Sequence, residues 1–162
     1  MINYLRFSCL IILIFGILAC QTDSSKFSLT GTDKDTVESL ILFDDIDLIT
    51  IDGDGAAINS VTLSGDMLIL NVSYGGGCEE HEFKLYVSKG LSKSNPPQAE
   101  MYLSHNANGD LCEAYLTKDL VFNLLPLKEN VKQNFNDADE IWLRIYPPGS
   151  NNPVEPLHKY KF

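Results

Sequence analysis

Alternation of apolar and polar residues at a period of two is the feature that most limits what this chain can fold into. Residues 81–88 are the clearest case, and residues 99–104 and 141–146 repeat the pattern. A period of two places successive side chains on opposite faces of an extended strand, so one face can be buried. The side predicted to be buried holds His81, Phe83, Leu85 and Val87, then Ala99, Met101 and Leu103, then Ile141, Leu143 and Ile145.

Turn signals between such stretches predict the fold class. Residues 60–63 and 67–74 flank Ser64, Gly65 and Asp66, which indicates a β-hairpin with a compact turn. Residues 127–136 are the best candidate for a helix. Roughly seven or eight short strands, separated by turn signals, are typical of an all-β fold. We expect a single antiparallel β-sandwich or small barrel with at most one short helix, behind a cleaved signal peptide.

The first nineteen residues have the character of an export signal. A single cation, Arg6, precedes an apolar run at residues 7–19. That run is too short to span a bilayer, for which about 20 residues are needed, but it fits the apolar part of a secretory signal peptide. We therefore expect residues 1–19 to be a signal peptide that is removed.

The end of this leader, Ile17-Leu18-Ala19-Cys20, resembles the lipobox of bacterial lipoprotein precursors. In that family the chain is cut before the cysteine, whose thiol carries a diacylglycerol. The resemblance implies a lipid on Cys20, with acyl chains such as palmitate, and permanent anchoring, because each buried methylene contributes about 0.8 kcal/mol. Enterobacterial members retained at the inner membrane carry an aspartate after the cysteine. Because Gln21 stands there, we expect the outer membrane, with the domain facing the periplasm or the cell surface.

Composition and charge limit the domain organisation and the partners. Residues 20–35 are rich in serine, threonine and aspartate, which predicts a flexible tether, and residues 36–162 are predicted to form one β-sandwich domain. The chain has 22 acidic and 12 basic residues and a formal net charge of −10. This charge argues against nucleic acid, which favours lysine and arginine through counterion release. The expected partners are the membrane, through the N-terminal lipid, and an unknown protein or glycan ligand.

Two stretches, residues 74–81 and 104–114, hold the cysteines of the predicted domain. Cys78 and Cys112 are expected to form a disulfide in an exported protein. Such a bond stabilises the fold by about 3–4 kcal/mol for a loop of this length. If residues 81–88 pair antiparallel with residues 98–105, the first residue of one strand lies beside the last residue of the other. In this interpretation His81 and His105 are polar residues at the rim.

A zinc site is the alternative interpretation of the same corner. Two thiolates and two imidazoles, from Cys78, His81, His105 and Cys112, would suit a tetrahedral structural zinc ion. The spacing is only loosely like that of known zinc sites, and an oxidising compartment opposes free thiolates. A further variant keeps the disulfide and uses the histidines with Glu80 or Asp110. We expect no catalytic, cofactor-binding or metal-binding residues and keep the zinc set as an alternative.

The corner also resembles small uncharacterised bacterial lipoproteins. Their pattern G-G-C-x-x-H-x-F falls on residues 76–83, and the pattern H-N-x-x-G-D-x-C-E-A falls on residues 105–114. The resemblance implies an exported lipoprotein and brings no activity with it.

Three functions follow as hypotheses. The first is a lipid-anchored, disulfide-stapled envelope protein with a binding or structural role and no chemistry of its own. Tyr86, Tyr102, Trp142 and Tyr146 alternate away from the core side and could offer a sugar or peptide platform, or form cross-strand pairs. The second hypothesis is a histidine- or metal-dependent envelope enzyme centred on His81 and His105. The third is an inhibitor of secreted enzymes that uses the loop at residues 89–97.

Overall fold

A computed structural model describes residues 37–44 and 53–162. The predicted signal peptide and the whole of the predicted tether, including Cys20, lie outside the described residues. In chain order the elements are β1 (Ser39–Phe43), β2 (Ala56–Ser64), β3 (Met67–Gly76), β4 (Glu82–Ser88), β5 (Gln98–Asn106), β6 (Ala114–Asn123), α1 (Leu125–Asn134), β7 (Glu140–Tyr146) and β8 (His158–Lys161).

The strands form two sheets. A five-stranded sheet has the order β1-β4-β5-β7-β8, and a three-stranded sheet has the order β2-β3-β6. The all-β fold with two sheets and a short helix is confirmed, and within the described residues the sheets do not close into a barrel.

Two strand pairs differ from the antiparallel arrangement that was expected. β1 pairs with β4 and β5 pairs with β7 in parallel. Parallel neighbours need a long connection between them. Here β2 and β3 lie between β1 and β4 along the chain, and β6 and α1 lie between β5 and β7. The five-stranded sheet is therefore mixed.

The predicted hairpin is present, and the helix is displaced by two residues. β2 and β3 pair antiparallel around Gly65, which has a φ of +57°. α1 starts before the predicted position because Pro126 lies in its first turn, where the ring fixes a helical φ and the missing N–H is not needed. In the described part of the chain, no helix has the length and apolar character needed to cross a membrane.

The core lies between the two sheets and under α1. It consists of Leu68, Leu70, Val72, Phe83, Leu85, Val87, Ala99, Met101, Leu103, Leu120, Phe122, Leu124, Leu127, Val131, Ile141, Leu143, Ile145 and Tyr160, each at most 2% exposed. Complete burial of one large apolar side chain contributes about 1.5–3 kcal/mol. The alternation in β4, β5 and β7 predicted this inward face correctly.

The segment before β1 joins the two sheets. Val37 forms a parallel bridge with Val121 of β6, and the Glu38 amide donates to the Val121 carbonyl at 2.8 Å. The next residues then enter β1 and pair with β4 of the other sheet. Residues 37–43 therefore bond to both sheets, first to β6 and then to β4.

Candidate functional site

The corner predicted from the sequence lies where β3 ends, β4 begins and β5 ends. A disulfide joins Cys78 to Cys112, with their Cα atoms 5.9 Å apart, as the sequence predicted for an exported chain. Because the bond uses both sulfurs, neither cysteine offers the thiolate that the alternative zinc set with His81 and His105 requires. That set would need the disulfide to be reduced.

Asp110 holds the two cysteine-bearing segments together. Its Oδ2 accepts hydrogen bonds from the amides of Gly77, Cys78 and Glu79 at 2.7, 2.9 and 2.9 Å. Its Oδ1 accepts from the Cys112 amide at 2.8 Å. These donors, led by the Glu79 and Cys112 amides, hold the pKa of the Asp110 carboxyl well below its usual range. The carboxylate therefore stays ionised and bonds to both sides of the disulfide.

The two histidines lie side by side inside this corner. His81 Nδ1 is 2.8 Å from His105 Nε2, and His81 Nε2 is 3.1 Å from Asp110 Oδ2. The His81 side chain is 3% exposed and His105 is 1% exposed. The prediction that they are rim residues was wrong. Both lie on the inward side of the chain, and burial is tolerated because their nitrogens find partners there.

The predicted pairing of β4 and β5 was correct in direction and wrong in register. His105 lies opposite Phe83, and Glu82 lies opposite Asn106, so His81 is not the strand partner of His105. The offset arises because β5 continues to Asn106 while β4 begins only at Glu82. The side chains meet diagonally across the end of the strand pair.

His105 is fixed by groups that the sequence did not indicate. Its Nδ1 is 3.0 Å from the Asp54 carbonyl oxygen, and the Asp54 carboxylate accepts from the Ala107 amide at 2.7 Å. The Phe83 ring lies parallel to the imidazole, with centroids 4.4 Å apart, and Tyr74 meets it edge-on at 5.3 Å. Burial among these rings lowers the pKa of His105.

Gly76 makes room for the cluster. Its φ is +144°, a conformation that residues with side chains rarely adopt. A Cβ at this position would lie against the His81 ring and 2.8 Å from Asp110 Oδ2. The glycine is therefore required by both its backbone conformation and the close approach of the two side chains.

A recess of about 420 Å³ opens beside His81. Its lining residues are Glu38, Glu80, His81, Glu82, Asn108 and Lys118. Of the two carboxylates considered from the sequence, Asp110 contacts His81, whereas Glu80 contributes its backbone carbonyl to the corner by accepting from Asn108 Nδ2. A general base needs a nitrogen free to take a proton from a substrate. Both ring nitrogens of each histidine in the corner already have a partner.

The outer face of the five-stranded sheet carries the predicted outward aromatic residues. Ile41, Tyr86, Tyr102 and Tyr146 occupy one register row across β1, β4, β5 and β7, which we call the tyrosine row. Tyr102 and Tyr146 stack with centroids 4.6 Å apart and planes within 7°. Trp142 lies on the same face, under the Lys159 ammonium at 4.8 Å. Tyr102 and Tyr146 therefore form one of the cross-strand aromatic pairs that were expected from the sequence.

The loop at residues 89–97 is tied at several points. The Lys89 ammonium is 2.9 Å from the Asp44 carboxylate, and the Ser92 amide donates to the Gln98 carbonyl at 3.0 Å. Ser94 Oγ donates to the Pro96 carbonyl at 2.7 Å. The loop is therefore held to its base, with Leu91 packed against the core and the side chains of residues 92–95 exposed.

Comparison with known proteins shows the fold. No protein-family model matches the chain, and no curated protein matches it. Among solved structures, it is similar to a NigD-like immunity protein from Bacteroides caccae, with a TM-score of 0.56 and 19% identity over 77% of this chain and 64% of that one. It is also similar to a candidate lipoprotein from Bacteroides fragilis, with a TM-score of 0.51 and 10% identity over 77% and 70% of the two chains.

A protein of unknown function from Bacteroides vulgatus matches with a TM-score of 0.49 and 16% identity over 78% of this chain. The match spans 56% of that protein's length. At these identities, the likeness describes the arrangement of strands and does not extend to activity.

Proposed function

We propose that this chain is a lipid-anchored protein of the cell envelope whose disulfide-stapled β domain binds another molecule and performs no chemistry of its own. The observation that carries the proposal is the closed state of the corner. The nitrogens of His81 and His105 and both oxygens of Asp110 are engaged with other protein groups. Such a cluster stabilises a fold. A catalytic base instead keeps an atom free to take a proton from a substrate, and a catalytic metal site keeps a coordination position open for a substrate or water.

Three observations support the envelope location. The Cys78–Cys112 disulfide suits an oxidising compartment. The leader resembles a lipobox, with Cys20 as the lipid attachment site. Solved structures with a similar fold include proteins described as a candidate lipoprotein and as an immunity protein. In this proposal residues 1–19 are removed, residues 20–35 form the tether, residues 36–162 form the domain, and Cys20 is held in the outer membrane.

The tyrosine row is the surface that we propose for binding a protein or glycan. Within the row, Tyr86 and Tyr102 are half-buried and Tyr146 is buried, and Trp142 lies half-buried next to the row on the same outer face. Glu100 accepts from the Tyr102 hydroxyl at 3.0 Å, and Arg144 Nε donates to the Tyr146 hydroxyl at 3.3 Å. Aromatic rings combined with charged hydrogen-bonding groups are typical of binding surfaces.

Metabolic labelling tests the lipid anchor. The full chain is expressed in a bacterium fed with an alkyne analogue of palmitate, together with Cys20→Ser and the matched leader variant Cys9→Ser. We expect label and membrane association for the wild type and Cys9→Ser, and loss of both for Cys20→Ser. Label retained on Cys20→Ser would contradict the assignment of the lipid to Cys20.

Binding to the tyrosine row is tested with immobilised glycans and envelope extracts. We expect Tyr102→Ala to weaken retention of a bound component, while Thr62→Ala, on β2 of the other sheet, leaves it unchanged. Equal retention by a folded Tyr102→Ala protein would show that the row is not the binding surface.

A second candidate is an inhibitor of secreted enzymes, and the tied loop at residues 89–97 favours it. A loop with fixed ends loses little freedom on binding, which preserves affinity. Replacement of the exposed residues 92–95 by glycine and serine should abolish inhibition of a target enzyme without unfolding the domain. The enzyme alternative makes a different prediction, because a folded His81→Ala/His105→Ala protein would then lose a turnover that the wild type shows.

A further inference from the structure

The protons of the histidine pair can be counted from the partners of its four ring nitrogens. His105 Nδ1 faces the Asp54 carbonyl oxygen, so it must carry a hydrogen to bond there. His81 Nε2 faces the Asp110 carboxylate and must carry a hydrogen as well. Two neutral imidazoles carry one N–H hydrogen each, so these two nitrogens use both of them. The remaining nitrogens, His81 Nδ1 and His105 Nε2, would then present lone pairs to each other at 2.8 Å.

The arrangement of the two rings is that of a hydrogen bond. Their centroids are 5.0 Å apart while the facing nitrogens are 2.8 Å apart, and the ring planes differ by 24°. These values place the rings edge to edge and nearly coplanar, with the facing nitrogens between the two centroids. Two nitrogens bound to one tetrahedral zinc ion, at about 2.0–2.1 Å each, would stand about 3.3 Å apart. The separation fits a shared hydrogen better than a shared metal ion.

We propose that His81 and His105 form a binding site for one extra proton, held between His81 Nδ1 and His105 Nε2, which locks the disulfide corner in a pH-dependent manner. The proton completes a chain of hydrogen bonds from the Asp110 carboxylate to the Asp54 carbonyl. Its positive charge is balanced by Asp110. The geometry places the charge beside this carboxylate, since His81 Nε2 faces Asp110 at 3.1 Å whereas His105 Nδ1 faces only a neutral carbonyl oxygen.

The charged and titratable groups around the pair are mostly acidic. Asp110 comes from the turn after β5, Asp54 precedes β2, and the Tyr74 ring of β3 contacts both imidazoles. The recess beside His81 adds a set of groups from other elements, namely Glu38, Glu80, Glu82 and Lys118. Carboxylates near an imidazolium favour its charged form. Lys118 opposes this effect weakly, since its ammonium is paired with Glu38 at 3.0 Å.

Loss of the proton should open the corner. The two lone pairs would then repel at hydrogen-bond distance, so one ring must turn away and the connection between Asp54 and Asp110 breaks. Because Asp110 also binds the amides on both sides of the disulfide, the disturbance reaches Cys78 and Cys112. The recess beside His81 would change shape with it.

A single shared proton predicts an optimum in stability. Unfolded histidines titrate at about pH 6.5. Well below that value the unfolded pair binds two protons and the folded pair one, so stability falls as the pH decreases. Well above it the unfolded pair binds none and the folded pair one, so stability falls as the pH increases. The contribution of the pair should therefore be greatest near about pH 6.5, with the unfolding equilibrium constant changing by up to about tenfold per pH unit on either side.

The first test is nuclear magnetic resonance of the ring nitrogens in the full chain, purified from an expressing bacterium, across about pH 4–9. The expected result is one proton shared by the coupled His81 and His105 rings on both sides of about pH 6.5. Two neutral rings, or two fully protonated rings, at that pH would overturn the proposal. A stoichiometric metal ion in the native mass spectrum would overturn it too. This test needs no variant and holds even if substitutions impair folding.

The second test compares denaturant unfolding of the wild type, His105→Gln and His158→Gln over the same pH range. His158 is a partly buried histidine on β8. Its substitution controls for loss of a titrating imidazole elsewhere. The free energy of unfolding of the wild type minus that of His105→Gln should be greatest near about pH 6.5. The free energy of unfolding of His158→Gln minus that of His105→Gln should show the same optimum. A difference that is flat, or that changes in one direction only, would overturn the shared proton.

Discussion

The Phe83 ring lies parallel to the His105 imidazole, within 3° and with centroids 4.4 Å apart, and the two residues are direct strand partners in β4 and β5. A cross-strand aromatic pair of this kind fixes the orientation of the histidine as well as burying it. The direction of the His105 nitrogens toward Asp54 and His81 is thus set partly by an apolar neighbour.

Replacement of Phe83 by leucine should destabilise the protein by about 1–2 kcal/mol, because the ring stacking is lost while most of the apolar volume remains. Urea unfolding at about pH 6.5 provides the measurement. A double-mutant cycle with His105→Gln should show that the two changes are not additive. Additivity within error would mean that the rings do not interact energetically. Phe122→Leu, at a fully buried position in β6, serves as the control and should add to His105→Gln.

Gly76→Ala should be strongly destabilising, by about 2–4 kcal/mol, because it combines an unfavourable φ with a clash against His81 and Asp110. Gly75→Ala is the matched control on the same strand. A Cβ at Gly75 has no neighbour within 4 Å. We expect that change to be close to neutral. Comparable thermal stability for the two variants would contradict the packing described around Gly76.

Reduction of the Cys78–Cys112 bond should lower the free energy of unfolding by about 3–4 kcal/mol, since it closes a loop with a sequence separation of 34 residues. The intact mass before and after reduction should differ by two hydrogens. Unfolding curves with and without reductant then give the energy. Unchanged mass on reduction would show that the cysteines are not paired, and retention of one zinc ion would favour the alternative set.

Asp110→Asn should remove an acid-dependent part of the stability. The folded pKa of Asp110 is depressed, so its contribution is complete above the unfolded value of about 3.9 and is lost as the pH falls toward the folded value. The variant should therefore be less stable than the wild type near neutrality, and the two should converge as the solution is acidified. Asp119→Asn, which alters an acceptor for Asn71 on the outer face of the small sheet, should leave the acid dependence intact. Parallel curves for wild type and Asp110→Asn would contradict the assigned role.

Residue alternation predicted the strands and their buried faces, but it could not predict which strands pair with each other or in which direction. The inward series of β4, β5 and β7 follows from a period of two, since burial of one face is a local property of each strand. The parallel pairing of β1 with β4 depends instead on where distant segments pack. A sequence has no local signal for that choice.

The candidate site was predictable to a similar depth. The pairing of Cys78 with Cys112 was predictable because cysteines of exported proteins commonly form disulfides. The nearby histidines indicated that the two segments meet at one corner. Asp54 was missed because it contributes a backbone carbonyl, which any residue type can supply. Burial of His105 was missed because a polar residue at the end of a strand looks like a rim residue until its partners are known.

If the chain is anchored through Cys20, as we propose, the segment before β1 has a mechanical consequence. A pull from the N-terminal side would enter the described residues through Val37 and Glu38, which are bonded to β6, and pass into β1, which is bonded to β4. A load along β1 runs parallel to the strand. All of the hydrogen bonds between β1 and β4 therefore bear that load at the same time. The domain would then resist detachment by shear across both sheets, and its weakest direction would be a sideways peel of that first strand.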